Sequence, residues 1–207
     1  MNKIIKIQPV PKYFTITWML GAHCNYDCMY CPSELHDQSG HAHNLETMQQ
    51  AWKNIHTKAK QQGLFFKITF TGGEVTANKN FLSLLQWIRK NYSDVVQIGF
   101  TTNGSASLHY YTKLVEFVES ISFSTHSEFM DEQAFFDKVI NIDKLMIKPK
   151  KSLHVNIMNE YWNQDRIKLY QQLLDKHRIS HCINEIDYSV KIREEILNKG
   201  KLNLDTI

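Results

Sequence analysis

Three cysteines fall within eight positions, Cys24, Cys28 and Cys31 in CNYDCMYC, and the 207-residue chain holds one more, Cys182. A disulfide framework uses even numbers and wider separations. Three thiolates on one short loop suit a soft metal centre. An iron–sulfur cube has four irons, normally one thiolate each, so three thiolates leave one iron open to bind and activate a ligand. Zinc fits the same loop, because Cys3His is an accepted zinc set and His23, His36, His41 and His43 lie close by.

Further groups with chemical potential recur down the chain. Thr71-Gly72-Gly73-Glu74 pairs two glycines, which permit close backbone approach, with a carboxylate able to accept from an ammonium group. Thr101-Thr102-Asn103-Gly104-Ser105 carries the Asn-Gly turn signal. In Ser124-Thr125-His126-Ser127-Glu128, His126 and Glu128 are candidates for substrate contact or proton transfer, alongside a local structural role. Cys182, in a short run that also holds Glu185 and Asp187, reads most simply as a small buried residue.

These groups need a frame, and the sequence supplies one. Short apolar runs rich in β-branched and aromatic residues alternate with longer helical patterns. The runs are Phe14–Leu20, Phe65–Thr71, Val95–Thr101, Ser120–Ser124, Leu153–Met158 and Ser180–Ile186. Helices are predicted near 45–61, 79–91, 107–118, 130–142 and 163–177, with a last one near 189–198. Asn44 is placed to cap the first helix, Leu45, Met48, Ala51, Trp52 and Ile55 give it one apolar stripe, and Gly63 marks its stop. Strands alternating with helices imply parallel strands with right-handed crossovers. Six units give an α/β fold, either a partial (βα)6 barrel or a doubly wound sheet; a full eight-stranded barrel needs roughly 250 residues. In such barrels functional residues gather at the C-terminal strand ends, which is where the groups of the first four units fall.

The spacing CxxxCxxC, with Tyr30 before its last cysteine and Gly72-Gly73-Glu74 one unit later, resembles the radical S-adenosylmethionine (SAM) enzymes. The resemblance runs from about Phe14 to Asp187 and implies the partial (βα)6 TIM-like barrel. It implies one [4Fe–4S] cluster on Cys24, Cys28 and Cys31, with SAM chelated at the open iron. Reductive cleavage of SAM would then give a 5′-deoxyadenosyl radical that abstracts hydrogen from a substrate. It assigns Gly72, Gly73 and Glu74 to SAM's methionine amino group and Tyr30 to the adenine. Asn103 falls near SAM or substrate, Ser124 at SAM's ribose or carboxylate, and Val155, Ile157 and Asn159 in the adenine region. The glycines of the family's GxIxGxxE pattern are absent from that last segment. Asp27 and the loop amides are placed to tune the cluster. A flavodoxin- or ferredoxin-type electron donor is the implied partner, and the substrate is a small molecule, nucleotide or peptide. With only Cys182 after Cys31, the chain cannot ligate a second cubane unaided.

Composition bounds these readings. Hydrophobic residues at 43% and aromatics at 12% support a sizeable core, and a net charge of +3 does not indicate disorder. The cluster Lys148, Lys150 and Lys151 reads as a solvated turn rather than a nucleic-acid patch. The chain reads as one domain over 1–207, with the cluster loop at 21–44 and a short helix and tail at 188–207. No apolar run reaches the ~20 residues of a membrane span, and MNKIIKIQPVPKY is too charged for a secretory signal, so a reducing cytoplasm is expected. The alternatives to the enzyme are a non-catalytic zinc (Cys3His) binding module and a SAM-binding sensor or scaffold.

Overall fold

A computed structural model describes residues 12–32, 42–60, 63–146, 149 and 151–186. Six strands form one sheet: β1 (Tyr13–Met19), β2 (Phe65–Thr71), β3 (Val95–Thr102), β4 (Ser120–Ser124), β5 (Ser152–Asn159) and β6 (Ser180–Glu185). All pairings are parallel, and the strand order follows the chain from β1 to β6. Between them run α1 (Leu45–Lys60), α2 (Phe81–Asn91), α3 (Leu108–Leu114), α4 (Glu132–Leu145) and α5 (Gln164–Lys176). Sequential parallel strands joined by right-handed crossovers put every helix on one face of the sheet. The result is the predicted α/β architecture, a partial TIM-like barrel of six strands rather than a two-sided doubly wound sheet.

Alternation along each strand divides its side chains between two environments. Phe66, Ile68 and Phe70 of β2, Ile98 and Phe100 of β3, Ile121 and Phe123 of β4, and Val155 and Ile157 of β5 are buried. They pack with Trp52, Phe81, Leu85, Tyr111, Val139 and Leu174 of the helices in one core. The other face carries Thr69, Thr101, Ser122, His154 and Asn156, all half-buried or exposed. A closed barrel fills its interior with branched apolar side chains. This face is polar instead, and suits contact with water or a polar ligand.

Local signals explain the helix boundaries. Asn44 Oδ1 accepts from Thr47 N–H at 2.8 Å, the predicted cap of α1. Gly63, at φ +65°, follows that helix in the left-handed conformation glycine tolerates. The sequence predicts α4 from 130, but Asp131 is its cap, accepting from Ala134 N–H at 2.9 Å, so the helix begins at Glu132. α3 is shorter than predicted. Arg89 donates to the Phe117 carbonyl at 2.8 Å and to the Val95 carbonyl at 2.8 Å, and pairs with Glu119. It thereby satisfies the turn that replaces the helix after Leu114.

Cys182 corrects the sequence reading. It is exposed, not buried, because β6 pairs only with β5 among the described residues and has no helix over the face Cys182 occupies. The helix predicted near 189–198, Asp187, His36, His41, Lys148 and Lys150 lie outside the described residues. Lys151 donates to the Val115 carbonyl. No helix among the described residues is long and apolar enough to cross a membrane.

Candidate functional site

The loop after β1 and the turn after β2 continue the strand pairing beyond the sheet. Leu20 N–H donates to Thr71 O at 2.9 Å, Gly73 N–H to Gly21 O at 2.8 Å, and Glu74 N–H to His23 O at 2.8 Å. This zipper explains the two glycines. Gly72 has φ +126°, and a Cβ there would lie 2.4 Å from Gly21 O. A Cβ on Gly73 would lie 2.2 Å from His23 O and 2.5 Å from Ala22 O. Both contacts are with backbone that a side chain cannot displace cheaply. The immediate close approach that these glycines permit is therefore to the cysteine loop, and it fixes the start of that loop against β2.

Glu74 is 3% exposed and ties β2 to β3. Its Oε1 accepts from Thr76 N–H at 2.9 Å, Thr76 Oγ1 at 2.6 Å and Thr102 Oγ1 at 2.7 Å, while Oε2 accepts from Asn103 N–H at 2.6 Å. Because the Thr102 hydroxyl proton goes to Glu74, the Tyr111 hydroxyl, 2.7 Å from Thr102 Oγ1, is the donor in that contact. Burial raises the Glu74 carboxyl above its ordinary value, and the Asn103 and Thr76 donors act against that rise.

The cysteine loop is held from the β3 and β4 ends. Asn103 Nδ2 donates to Asn25 Oδ1 at 3.0 Å. His126 Nδ1 lies 3.5 Å from Cys28 Sγ and hydrogen-bonds to the Tyr30 hydroxyl, with the two rings stacked at 6.0 Å. Glu128 Oε2 accepts from Met29 N–H at 3.1 Å. Tyr26 stacks on Phe129 at 5.3 Å. Burial lowers His126 to about 4, so the imidazole is neutral at physiological pH.

These residues surround a solvent-open cleft of about 200 Å3 at the C-terminal ends of β1–β4. Cys24, Cys28, Tyr30, Cys31, Gly72, Gly73, Glu74, Asn103, Ser124 and His126 all line it. Glu128, Asn159, Val155 and Ile157 do not, and the last two are buried in the core behind the sheet. Glu128 sits against the loop backbone. Asn159 donates to Glu185 Oε2 at 2.7 Å and accepts from Gln164 Nε2 at 2.7 Å. Thr71, Thr101 and Thr102 line the cleft as members of the strand-end motifs, and Tyr26 lines it without having been singled out.

The donor set is three thiols on one loop, the ligand type of an iron–sulfur cluster. All three loop thiols are free, and all three reach the cleft. Among the described residues, no three His, Cys, Asp or Glu side chains converge closely enough to hold one metal ion. Burial raises the Cys24, Cys28 and Cys31 thiols above their ordinary value, so a bound cation has to take the place of their protons.

Residues 15–142 match the family described as the 4Fe-4S single cluster domain. The chain belongs to this family. It is a member of the radical SAM superfamily, an iron–sulfur rather than a zinc lineage. Over 86 residues it is 33% identical to an S-adenosylmethionine-dependent nucleotide dehydratase of Selenomonas ruminantium, a match spanning 42% of this chain and 28% of that relative. Solved structures with the same fold include SuiB of Streptococcus suis bound to S-adenosylmethionine, at 14% identity and TM-score 0.59, covering 91% of this chain and 47% of SuiB. They also include anSMEcpe with AdoMet bound, at 16% identity and TM-score 0.59, covering 92% of this chain and 60% of that one. BtrN in complex with AdoMet and 2-DOIA matches at 14% identity and TM-score 0.50, covering 96% of this chain and 85% of BtrN. This radical SAM chain thus spans about half the length of SuiB and less than a third of the curated relative.

Proposed function

We propose that this radical SAM protein is an enzyme that abstracts hydrogen from a polar substrate. Cys24, Cys28 and Cys31 would hold a [4Fe–4S] cluster, and the cleft beside them would hold SAM. When bound, that pair supplies a 5′-deoxyadenosyl radical by reductive cleavage of SAM, with the electron coming from a flavodoxin- or ferredoxin-type donor. The observation that carries this reading is the convergence of three free thiols, the Gly72–Gly73 turn and Glu74 on one cleft.

The chain's own residues have separable tasks. The Gly72–Gly73 backbone and Glu74 present acceptors for an ammonium group. Glu74 already holds Asn103 in place, so binding and loop order are coupled through one carboxylate. Asn103, beside Glu74, and Ser124 offer further polar contacts. Tyr30 offers its backbone and ring edge to an adenine. His126, neutral and hydrogen-bonded to Tyr30, excludes water from the Cys28 side and holds the loop. The polar face of the sheet below the cleft favours a hydroxyl-rich substrate. A nucleotide fits that chemistry and agrees with the name of the Selenomonas relative.

The test is anaerobic iron–sulfur reconstitution followed by absorbance and low-temperature EPR with and without SAM. A reduced-cluster signal that shifts on adding SAM supports the reading. A protein that assembles no cluster, or a cluster whose signal ignores SAM, overturns it.

A further inference from the structure

The polar face of the sheet holds a second chemical constellation on β5 and β6. Leu153, Val155 and Ile157 point into the core, so His154 and Asn156 between them point the other way. His154 pairs in register with Ser180 and Asn156 with Cys182. The His154 ring is bonded on both sides: Nδ1 lies 2.9 Å from Ser180 Oγ, and Nε2 lies 3.3 Å from Cys182 Sγ. A nucleophile, a base within reach of its proton, and a third group orienting the base define an activated nucleophile. If Ser180 Oγ accepts from Nδ1–H, Nε2 is the lone-pair nitrogen facing the thiol.

The pair also has access to substrate. Cys182 is exposed. Its Sγ–H has three acceptors around it, Asn184 Oδ1 at 3.2 Å, His154 Nε2 at 3.3 Å and Asn156 Oδ1 at 3.6 Å, and Asn156 Nδ2 donates to Ser124 Oγ at 3.3 Å. Ser124 lines the cysteine cleft, so one asparagine separates the thiol from that cleft. Cys182 lies far outside the loop of Cys24, Cys28 and Cys31, and the cluster reading leaves it unused.

We propose that Cys182 and His154, oriented by Ser180, form a thiol–imidazole pair that captures a carbonyl carbon of the substrate as a reversible covalent adduct. The assignment of this face to substrate rests on the function proposed above; the reactivity of the pair does not. In the step, the Sγ–H proton passes to His154 Nε2 and the sulfur electron pair forms the S–C bond. The carbonyl π pair moves onto oxygen, which then takes the proton from Nε2. The products are a hemithioacetal and a neutral imidazole, with no net oxidation. Holding the substrate by one bond would keep it beside the cleft while hydrogen is abstracted elsewhere on it.

The experiment is competitive alkylation of the full chain with limiting iodoacetamide at pH 7, read cysteine by cysteine by mass spectrometry. Cys182 is expected to react about ten-fold faster in the folded chain than in the same chain unfolded in urea, because a base is in place only when β5 and β6 pair. His154→Gln should abolish that excess, and Ser180→Ala should lower it several-fold, each with an unchanged circular dichroism spectrum. Glycolaldehyde, as the carbonyl probe, should slow labelling of Cys182 in the parent protein and not in His154→Gln. Equal rates for folded and unfolded Cys182, or a rate insensitive to both variants, overturns the pair. An activated Cys182 that glycolaldehyde leaves unprotected overturns the carbonyl assignment. Neither result touches cluster assembly at Cys24, Cys28 and Cys31, so the two readings fail separately.

Discussion

The Glu74 carboxylate accepts the backbone N–H of Asn103 at 2.6 Å and so clamps the end of β2 to the end of β3. That contact joins the two strand-end motifs that flank the cleft, and with Thr76 and Thr102 it gives one buried carboxylate four donors. Removing the acceptor leaves several buried donors without partners.

Glu74→Ala is therefore expected to cost about 2–4 kcal/mol of stability, since each orphaned buried donor costs about 1–3 kcal/mol and water can enter to satisfy part of the set. It should also weaken SAM binding more than iron incorporation, because no thiolate is lost. Urea unfolding, calorimetric SAM titration and iron content check the three effects on one protein. Unchanged stability would mean that the clamp is not formed.

Gly73→Ala tests the zipper between the cysteine loop and β2. The new Cβ would lie 2.2 Å from His23 O and 2.5 Å from Ala22 O, and both neighbours are backbone. The loop must move, at a cost of about 1–3 kcal/mol by analogy with overpacking. Iron content after reconstitution should fall with it. Gly63→Ala is the control: nothing among the described residues lies within 4 Å of its Cβ, so the left-handed backbone is what resists, at about 1–2 kcal/mol, and iron loading should be unchanged.

The frame was legible in the sequence because each unit is local. Every predicted strand from Phe14–Leu20 to Ser180–Ile186 is present, most with slightly shifted ends, since alternating apolar residues show themselves within a few positions. The cysteine loop, Gly72-Gly73-Glu74 and Asn103 were legible for the same reason. What was not legible is pairing across long separations. The Glu74–Asn103 bond spans 29 positions, and the Tyr26–Phe129 stack links two loops that no periodicity connects. Cys182 was misread because thiols are usually buried. Edge position is a property of the sheet, not of the run.

Cys28→Ala should abolish cluster assembly while the sheet still folds, because the loop hangs from Gly21, His23, Asn25 and Glu128 as well as from its thiols. In the parent protein, assembly should strengthen as pH rises. Burial raises all three loop thiols, so each keeps its proton further into the alkaline range and must release it on ligation. Cluster affinity measured by chelator competition from pH 7 to 9 checks the sign. Affinity that is flat or falling with pH contradicts thiolate ligation by this loop.

Glu160 gives a stability prediction of the opposite pH sense. It is fully buried and accepts from Ser127 N–H at 2.9 Å and Asn163 Nδ2 at 3.0 Å, while its Oε1 has no hydrogen-bond partner among the described residues. Burial raises it from 4.5 to about 7, with the Ser127 donors opposing the rise. The folded state thus prefers the neutral acid, because burial penalises the charged form. The stability this confers is full below about pH 4.5 and is lost as pH rises through about 7. Glu160→Gln keeps the shape and an acceptor but cannot ionise. Relative to the parent, it should gain on the order of 2–3 kcal/mol between pH 4.5 and pH 8.5, because a tenfold change in proton affinity on folding is worth about 1.4 kcal/mol. Urea unfolding of both proteins at the two pH values measures the difference. A gap that stays constant across the window would place the Glu160 titration outside it and remove the cost assigned to its charge.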